Sequence, residues 1–150
     1  MIDTTNISFV RADLRTLKEM LRLFGEVFGE PETYQSNVPT DEYLRSLLES
    51  DTFVPLAATI DGEVIGGLAA YVLKKFEQQR SEVYIYDLAV SEDYRRRGVA
   101  TGMINLLREM ARDIGAWVIY VQADLADEPA IKLYESLGTR EDVYHFDVTP

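Results

Sequence analysis

Apolar residues recur at two distinct periods along this chain, and the switches between them lay out its elements. Ile7-Ser8-Phe9-Val10 alternates in the manner of a short strand. Leu14, Leu17, Met20, Leu21, Phe24, Val27 and Phe28 then fall on one face of a helix, with Asp13 placed to cap it and Gly29-Glu30-Pro31 to end it. Glu32 to Pro39 is polar and reads as a mobile connection. Thr40 is placed to cap a second, shorter helix carrying Tyr43, Leu44, Leu47 and Leu48.

Phe53 to Thr59 and Val64 to Leu73 are strand-like runs joined by Asp61-Gly62, a hairpin turn signal. After a charged loop from Lys74 to Ser81, the run Val83 to Val90 is apolar on both faces, as expected near the centre of a sheet. Ala100 to Ile114 returns to helical spacing through Met103, Ile104, Leu107, Met110, Ala111 and Ile114, and Gly115 closes it. Trp117 to Gln122 predicts another buried strand, Pro129 to Leu137 a helix stopped by Gly138, and Val143 to Val148 a last strand. Strands and helices alternate only in the second half. The expected fold class is therefore α/β with a mixed central sheet and helices on both faces, in a single domain over residues 1–150.

Composition narrows the possible chemistry. The chain has 150 residues and no cysteine, which excludes disulfides, thiolate metal sites and a cysteine nucleophile. No apolar stretch approaches the ~18 residues needed to span a bilayer. Met-Ile-Asp-Thr-Thr-Asn at the N-terminus lacks the regions of a signal peptide, so a cytoplasmic location is expected. The formal net charge of −11 disfavours nucleic acid and anionic membranes as partners. It fits either a solvated acidic surface or an acidic cleft for a polycation.

Against that acidity, one basic run stands out: Arg95-Arg96-Arg97-Gly98-Val99-Ala100-Thr101, between a buried strand and an amphipathic helix. A helix N-terminus offers unpaired N–H groups and the positive end of the helix dipole, and both favour phosphate. Gly98 and Ala100 leave room for an anion to approach, and the arginines add charge. A solvated basic turn has the same composition. The run is neither a Walker loop nor a dinucleotide fingerprint, and no metal site is expected.

Asp87 is a carboxylate inside an apolar strand. Burying it unpartnered costs several kcal/mol, so it calls for a cation, a hydrogen-bond network or a raised pKa. A substrate amine is one such partner, and neighbouring backbone N–H groups are another. Asp124, Asp127 and Glu128 follow the next strand, while Glu141 and Asp142 precede the last. They are candidates for holding further ammonium groups, and solvation accounts for them equally well. His145, the only histidine, lies on a predicted terminal strand where packing or surface roles are commoner.

Arg-x-x-Gly-x-Ala after a strand ending Leu88-Ala89-Val90 resembles the acetyl-CoA motif of the GNAT N-acetyltransferase superfamily. Ala130-Ile131-Lys132-Leu133-Tyr134-Glu135-Ser136-Leu137-Gly138 resembles its second motif. Order and flanking strands agree across residues 7–148. Tyr84 to Val90, Tyr120-Val121-Gln122-Ala123-Asp124 and Arg140-Glu141-Asp142-Val143 are similar to the type I aminoglycoside 3-N-acetyltransferases, whereas the first 50 residues carry less of the likeness.

The resemblance implies a GNAT-like sheet whose parallel central strands splay apart at the thioester. It implies cofactor contacts from Leu88, Ala89 and Val90 along the pantetheine arm. Arg95, Arg96, Arg97, Gly98, Val99, Ala100 and Thr101 would lie around the pyrophosphate. It implies direct attack by an amine on acetyl-CoA in a ternary complex, with Asp87 as base or amine-orienting group and Tyr134 as proton donor to the leaving thiolate. Tyr84, Asp87, Asp124, Asp127, Glu128, Glu141 and Asp142 become the expected substrate contacts. The expected substrate is a polycationic small molecule, most directly the 3-amino group of an aminoglycoside antibiotic, with antibiotic resistance as the associated role and a homodimer as the assembly. The competing expectations are a polyamine or protein N-acetyltransferase, and a non-catalytic acyl-CoA-binding sensor.

Overall fold

The computed structural model describes residues 6–30 and 32–150. Pro31, part of the predicted stop of the first helix, lies outside them. The chain divides into two compact units, Met1–Tyr120 and Val121–Pro150.

In the first unit, strand β1 (Ser8–Arg11) leads into helix α1 (Leu14–Val27), which Asp13 caps by accepting a 2.8 Å hydrogen bond from the Thr16 N–H. Helix α2 (Asp41–Glu49) is capped in the same way, the Tyr43 N–H donating to Thr40 Oγ1 at 3.2 Å. The segment between them is not the featureless connection that its polarity predicts. Glu32–Ser36 forms a π-helical turn, and the Tyr34 ring packs against Phe24 and Phe28 of the α1 face at centroid distances of 6.1 and 5.8 Å.

Strands β2 (Phe53–Ile60), β3 (Glu63–Lys74) and β4 (Ser81–Val90) form an antiparallel meander. The β2–β3 turn places Asp61 at φ 50° and Gly62 at φ 82°, the doubly positive turn that Asp-Gly favours because it matches strand twist. From β4 the chain crosses through helix α3 (Val99–Asp113) to β5 (Ala116–Val121), which runs parallel to β4. Among the described residues the sheet holds five strands in the order β1-β2-β3-β4-β5.

Two adjacent glycines on β3 show how the sheet is clad. A Cβ on Gly66 would lie 3.0 Å from Val99 and 3.1 Å from Met103 of α3, whereas one on Gly67 would lie 3.1 Å from Phe24 and 3.2 Å from Met20 of α1. Helices therefore press on opposite faces, α1 on one and α3 on the other. Met20, Leu56, Leu68, Met103 and Leu107 are almost wholly excluded from solvent, and among the described residues no polar or charged residue is fully buried. Burying side chains of that size contributes ~1.5–3 kcal/mol each.

The second unit contains helix α4 (Glu128–Leu137), which Asp127 caps by accepting from the Ala130 N–H at 3.2 Å. The predicted strand Val143 to Val148 does not form: residues 139–150 carry no regular structure, and Val143, Tyr144, Phe146 and Val148 are exposed. Alternating apolar residues record a preference for a half-buried pleated surface. This unit has no ladder for them to join, so the preference is unmet.

Candidate active site

The ladder between β3 and β4 contains an irregularity that determines what Asp87 can do. Asp87 pairs with Ala69, yet Ala70, the next residue on β3, pairs with Ile85. Tyr86 is thus an extra residue on β4, a bulge. Strand side chains alternate between faces, so a one-residue insertion reverses the facing of everything beyond it. Ile85 is buried at 2% exposure, whereas Asp87 shares its face with Ala69 and Ala89, both in the cluster built on Leu17, Met20 and Phe24 of α1. Without the bulge Asp87 would share the face of Val83 and Ile85.

On that face lies a cavity of about 180 Å³ between α1, α2 and the sheet. Met20, Phe24, Leu44 and Phe53 give it apolar walls, and Tyr34, Tyr43, Tyr71 and Asp87 bring the polar groups. Asp87 is half-buried, and burial pushes its carboxyl above the ordinary aspartate range. A hydrogen bond from the Tyr34 phenol to Oδ1, at 3.4 Å, partly opposes that rise. No cation pairs with Asp87 among the described residues. Burial and the nearby Asp87 charge push the Tyr34 phenol up to about 12. Burial, followed by Asp87, also raises Tyr71, and burial, followed by Tyr120, raises Tyr84.

A row of aromatic rings runs along this side from β2 to β5. Phe53 meets Tyr71 at 5.5 Å, Tyr71 meets Tyr86 at 6.0 Å, and Tyr86 meets Tyr84 at 5.6 Å. Tyr84 then stacks on Tyr120 at 4.7 Å with 10° between the planes. Their π-faces attract ammonium groups. Beyond the row, Trp117 is half exposed, its Nε1 donates to Glu82 at 3.2 Å, and the Arg80 guanidinium lies 4.1 Å from its ring centroid.

The basic turn has the form its sequence predicts. Gly98 is the N-cap of α3 in the left-handed region (φ 76°), and no side chain caps the helix. The Gly102 N–H is the first to bond back, to Gly98 O at 2.9 Å, so by helix geometry the N–H groups of Val99, Ala100 and Thr101 have no partner within the helix. A Cβ on Gly98 would meet nothing within 4 Å, leaving open space before the helix end. Arg95, Arg96 and Arg97 are exposed, with Arg95 Nε bonded to Val90 O at 3.3 Å and Arg96 held at φ 59°. This cradle fits the pyrophosphate of a coenzyme. Leu88, Ala89 and Val90 lead into it along β4, paired with Leu68, Gly67 and Gly66.

The other sequence candidates lie in the second unit. Tyr134 is partly buried on α4, and burial followed by the Asp127 charge pushes its phenol up to about 12. Asp127 serves as the helix cap, with Glu128 in the first turn. Asp142 pairs with Arg140 at 2.7 Å. Asp124 and Glu141 are exposed, and His145 pairs at the surface with Asp147 at 3.0 Å. Tyr84 and Asp87 are brought to one face of the first unit. Sequence reasoning missed Tyr34, Tyr43 and Tyr71, which come from three separate elements and carry no shared sequence signal.

The family model described as Acetyltransferase (GNAT) family matches residues 17–139. The chain belongs to this family. An aminoglycoside acetyltransferase from an uncultured soil metagenomic sample superposes with a TM-score of 0.93 and 52% identity, over 96% of this chain and 98% of that one. A second aminoglycoside acetyltransferase from such a sample, solved in complex with sisomicin, gives a TM-score of 0.88 and 30% identity over 97% of both chains. The chain spans about half the length of the N-alpha-acetyltransferase of Sulfurisphaera tokodaii, with 29% identity over 56% of this chain and 54% of that one. The likeness to GNAT acetyltransferases expected from the two motifs is thereby established, and with it the mixed sheet.

Proposed function

We propose that the chain transfers the acetyl group of acetyl-CoA to an amine of a polycationic small molecule, most directly the 3-amino group of an aminoglycoside. The observation that carries this reading is the half-buried Asp87, turned by the bulge into an aromatic-walled cavity with no protein cation beside it among the described residues. The 52% likeness to an aminoglycoside acetyltransferase supports the choice of acceptor.

The N-terminus of α3 and the three arginines would hold the pyrophosphate, with the backbone of Leu88 to Val90 beside the pantetheine arm. Bound there, acetyl-CoA supplies an activated thioester. Asp87 accepts the proton that the incoming ammonium must lose, and Tyr134, protonated up to about pH 12, gives a proton to the departing sulfur. No covalent acyl-enzyme is needed, in keeping with a chain without cysteine. Tyr84, Asp124, Asp127, Glu128, Glu141 and Asp142 are the proposed contacts for the remaining amines, and a homodimer is the proposed assembly. Among the described residues no helix is long and apolar enough to cross a membrane.

Thiol release from acetyl-CoA in the presence of gentamicin, spermidine or a lysine peptide tests the reading. Turnover with gentamicin supports it. Turnover with spermidine or peptide alone replaces the acceptor, and tight CoA binding without thiol release from any amine makes the protein a sensor.

A further inference from the structure

The π-helical turn Glu32–Ser36 contributes one side chain, Tyr34, to the lining of the cavity. Tyr34 N bonds to Glu30 O at 3.3 Å, and the ring lies edge-on to Phe24. Its phenol reaches Asp87 Oδ1, 53 residues further along the chain. Among the described residues the Asp87 carboxylate has no other hydrogen-bond partner.

We propose that Tyr34 is the positioning residue for Asp87, holding Oδ1 so that Oδ2 is presented to the amine. This inference rests on the reading of Asp87 as the group that accepts the amine's proton. A carboxylate on a two-torsion side chain beside apolar walls would otherwise sample several rotations, only some of them facing the substrate. At 3.4 Å the hydrogen bond is longer than the usual O–H···O range, so it biases the carboxyl toward one rotation rather than locking it. The groups around Asp87 are the phenols of Tyr34 on the π-helical turn, Tyr43 on α2 and Tyr71 on β3, which line the same cavity, and Tyr84 on its own strand, which feels the Asp87 charge, while α1 and β2 offer the cavity only apolar residues such as Met20, Phe24 and Phe53. Glu30 adds a further negative charge near Tyr34. Tyr34 is thus a donor packed in place beside the carboxylate.

Tyr34→Phe keeps the ring and its packing but removes the donor. The acidic limb of kcat/KM, where activity is lost as Asp87 takes up a proton, then moves upward by about half a pH unit. The Asp87 carboxyl resonance of the ligand-free protein, assigned with Asp87→Asn, titrates with the same displacement. A 3-fluorotyrosine at position 34, a more acidic donor, moves both downward. If neither replacement moves the carboxyl titration, the positioning role is overturned even when Asp87→Asn is inactive. If Asp87→Asn retains near-normal turnover, the base reading fails instead, while the carboxyl titration still decides whether Tyr34 holds Asp87.

Discussion

Asp87 faces Ala69 across the β3–β4 ladder, while Ile85, two residues earlier, faces Ala70. The bulged Tyr86 between them is what separates a core position from a chemical one. Asp87→Asn keeps the shape and removes the proposed base. It should lower kcat by at least 100-fold and change CoA affinity less than twofold, as measured by steady-state kinetics and calorimetry.

The same substitution should also change stability in a pH-dependent way. Burial raises the Asp87 pKa, so the folded state holds this proton more tightly than the unfolded chain does. Near neutral pH the charged carboxylate therefore opposes folding, and that penalty fades as pH falls through the folded pKa. Asp87→Asn should melt higher than the parent at pH 7, with the difference shrinking toward pH 4. A variant that melts lower at neutral pH would show that Asp87 is stabilised by its surroundings rather than strained by them.

Gly98 and Arg96 lie in the left-handed region on either side of Arg97. Gly98→Ala should cost ~1 kcal/mol of stability through its backbone and weaken CoA binding about tenfold. Arg96→Gly should do the reverse for the fold, relieving up to ~1 kcal/mol of strain, yet still weaken CoA binding by removing a charge. Chemical denaturation set beside CoA titration separates the two effects.

Tyr134 holds its proton up to about pH 12. Tyr134→Phe should lower kcat by about 10–100-fold with little change in KM for either substrate. The parent's rate should show no alkaline fall from this residue below pH 10. A Tyr134→Phe enzyme of unchanged kcat would remove the phenol from the proton inventory.

Gly102 faces the Phe9 ring so closely that a Cβ would lie 2.1 Å from it. Gly102→Ala should destabilise the fold by ~1–3 kcal/mol. Adding Phe9→Leu should recover a large part of that loss, a coupling that a double-mutant cycle in urea would measure.

How much of this could be read from sequence differs from element to element, for identifiable reasons. The Arg95–Thr101 turn, the caps Asp13 and Thr40 and the Asp61-Gly62 hairpin were legible because each depends on residues adjacent in the chain. The bulge at Tyr86 was not legible, since only pairing with β3 creates it and the run Val83 to Val90 reads as uninterrupted. Tyr34 was hidden in a polar segment because its contacts need the chain to fold back on the preceding helix at Phe24 and Phe28 and to meet Asp87, 53 residues further on. Val143 to Val148 has the apolar pattern of a strand, and a pattern does not supply a neighbouring strand. Asp127 shows the converse: an acid chosen for its charge has a local task in capping α4.

Trp117 is the only tryptophan in the chain, and it stands beside Arg80 and Glu82 on β5, the strand that also carries Tyr120 of the aromatic row. Excitation absorbed by Tyr84, Tyr86 and Tyr120 has one indole to reach, and that indole is half open to water. The protein thus carries its own optical reporter, with tyrosine donors in the row that starts at the cavity and a single tryptophan to receive their excitation, so occupancy of the cavity can be followed without attaching a dye.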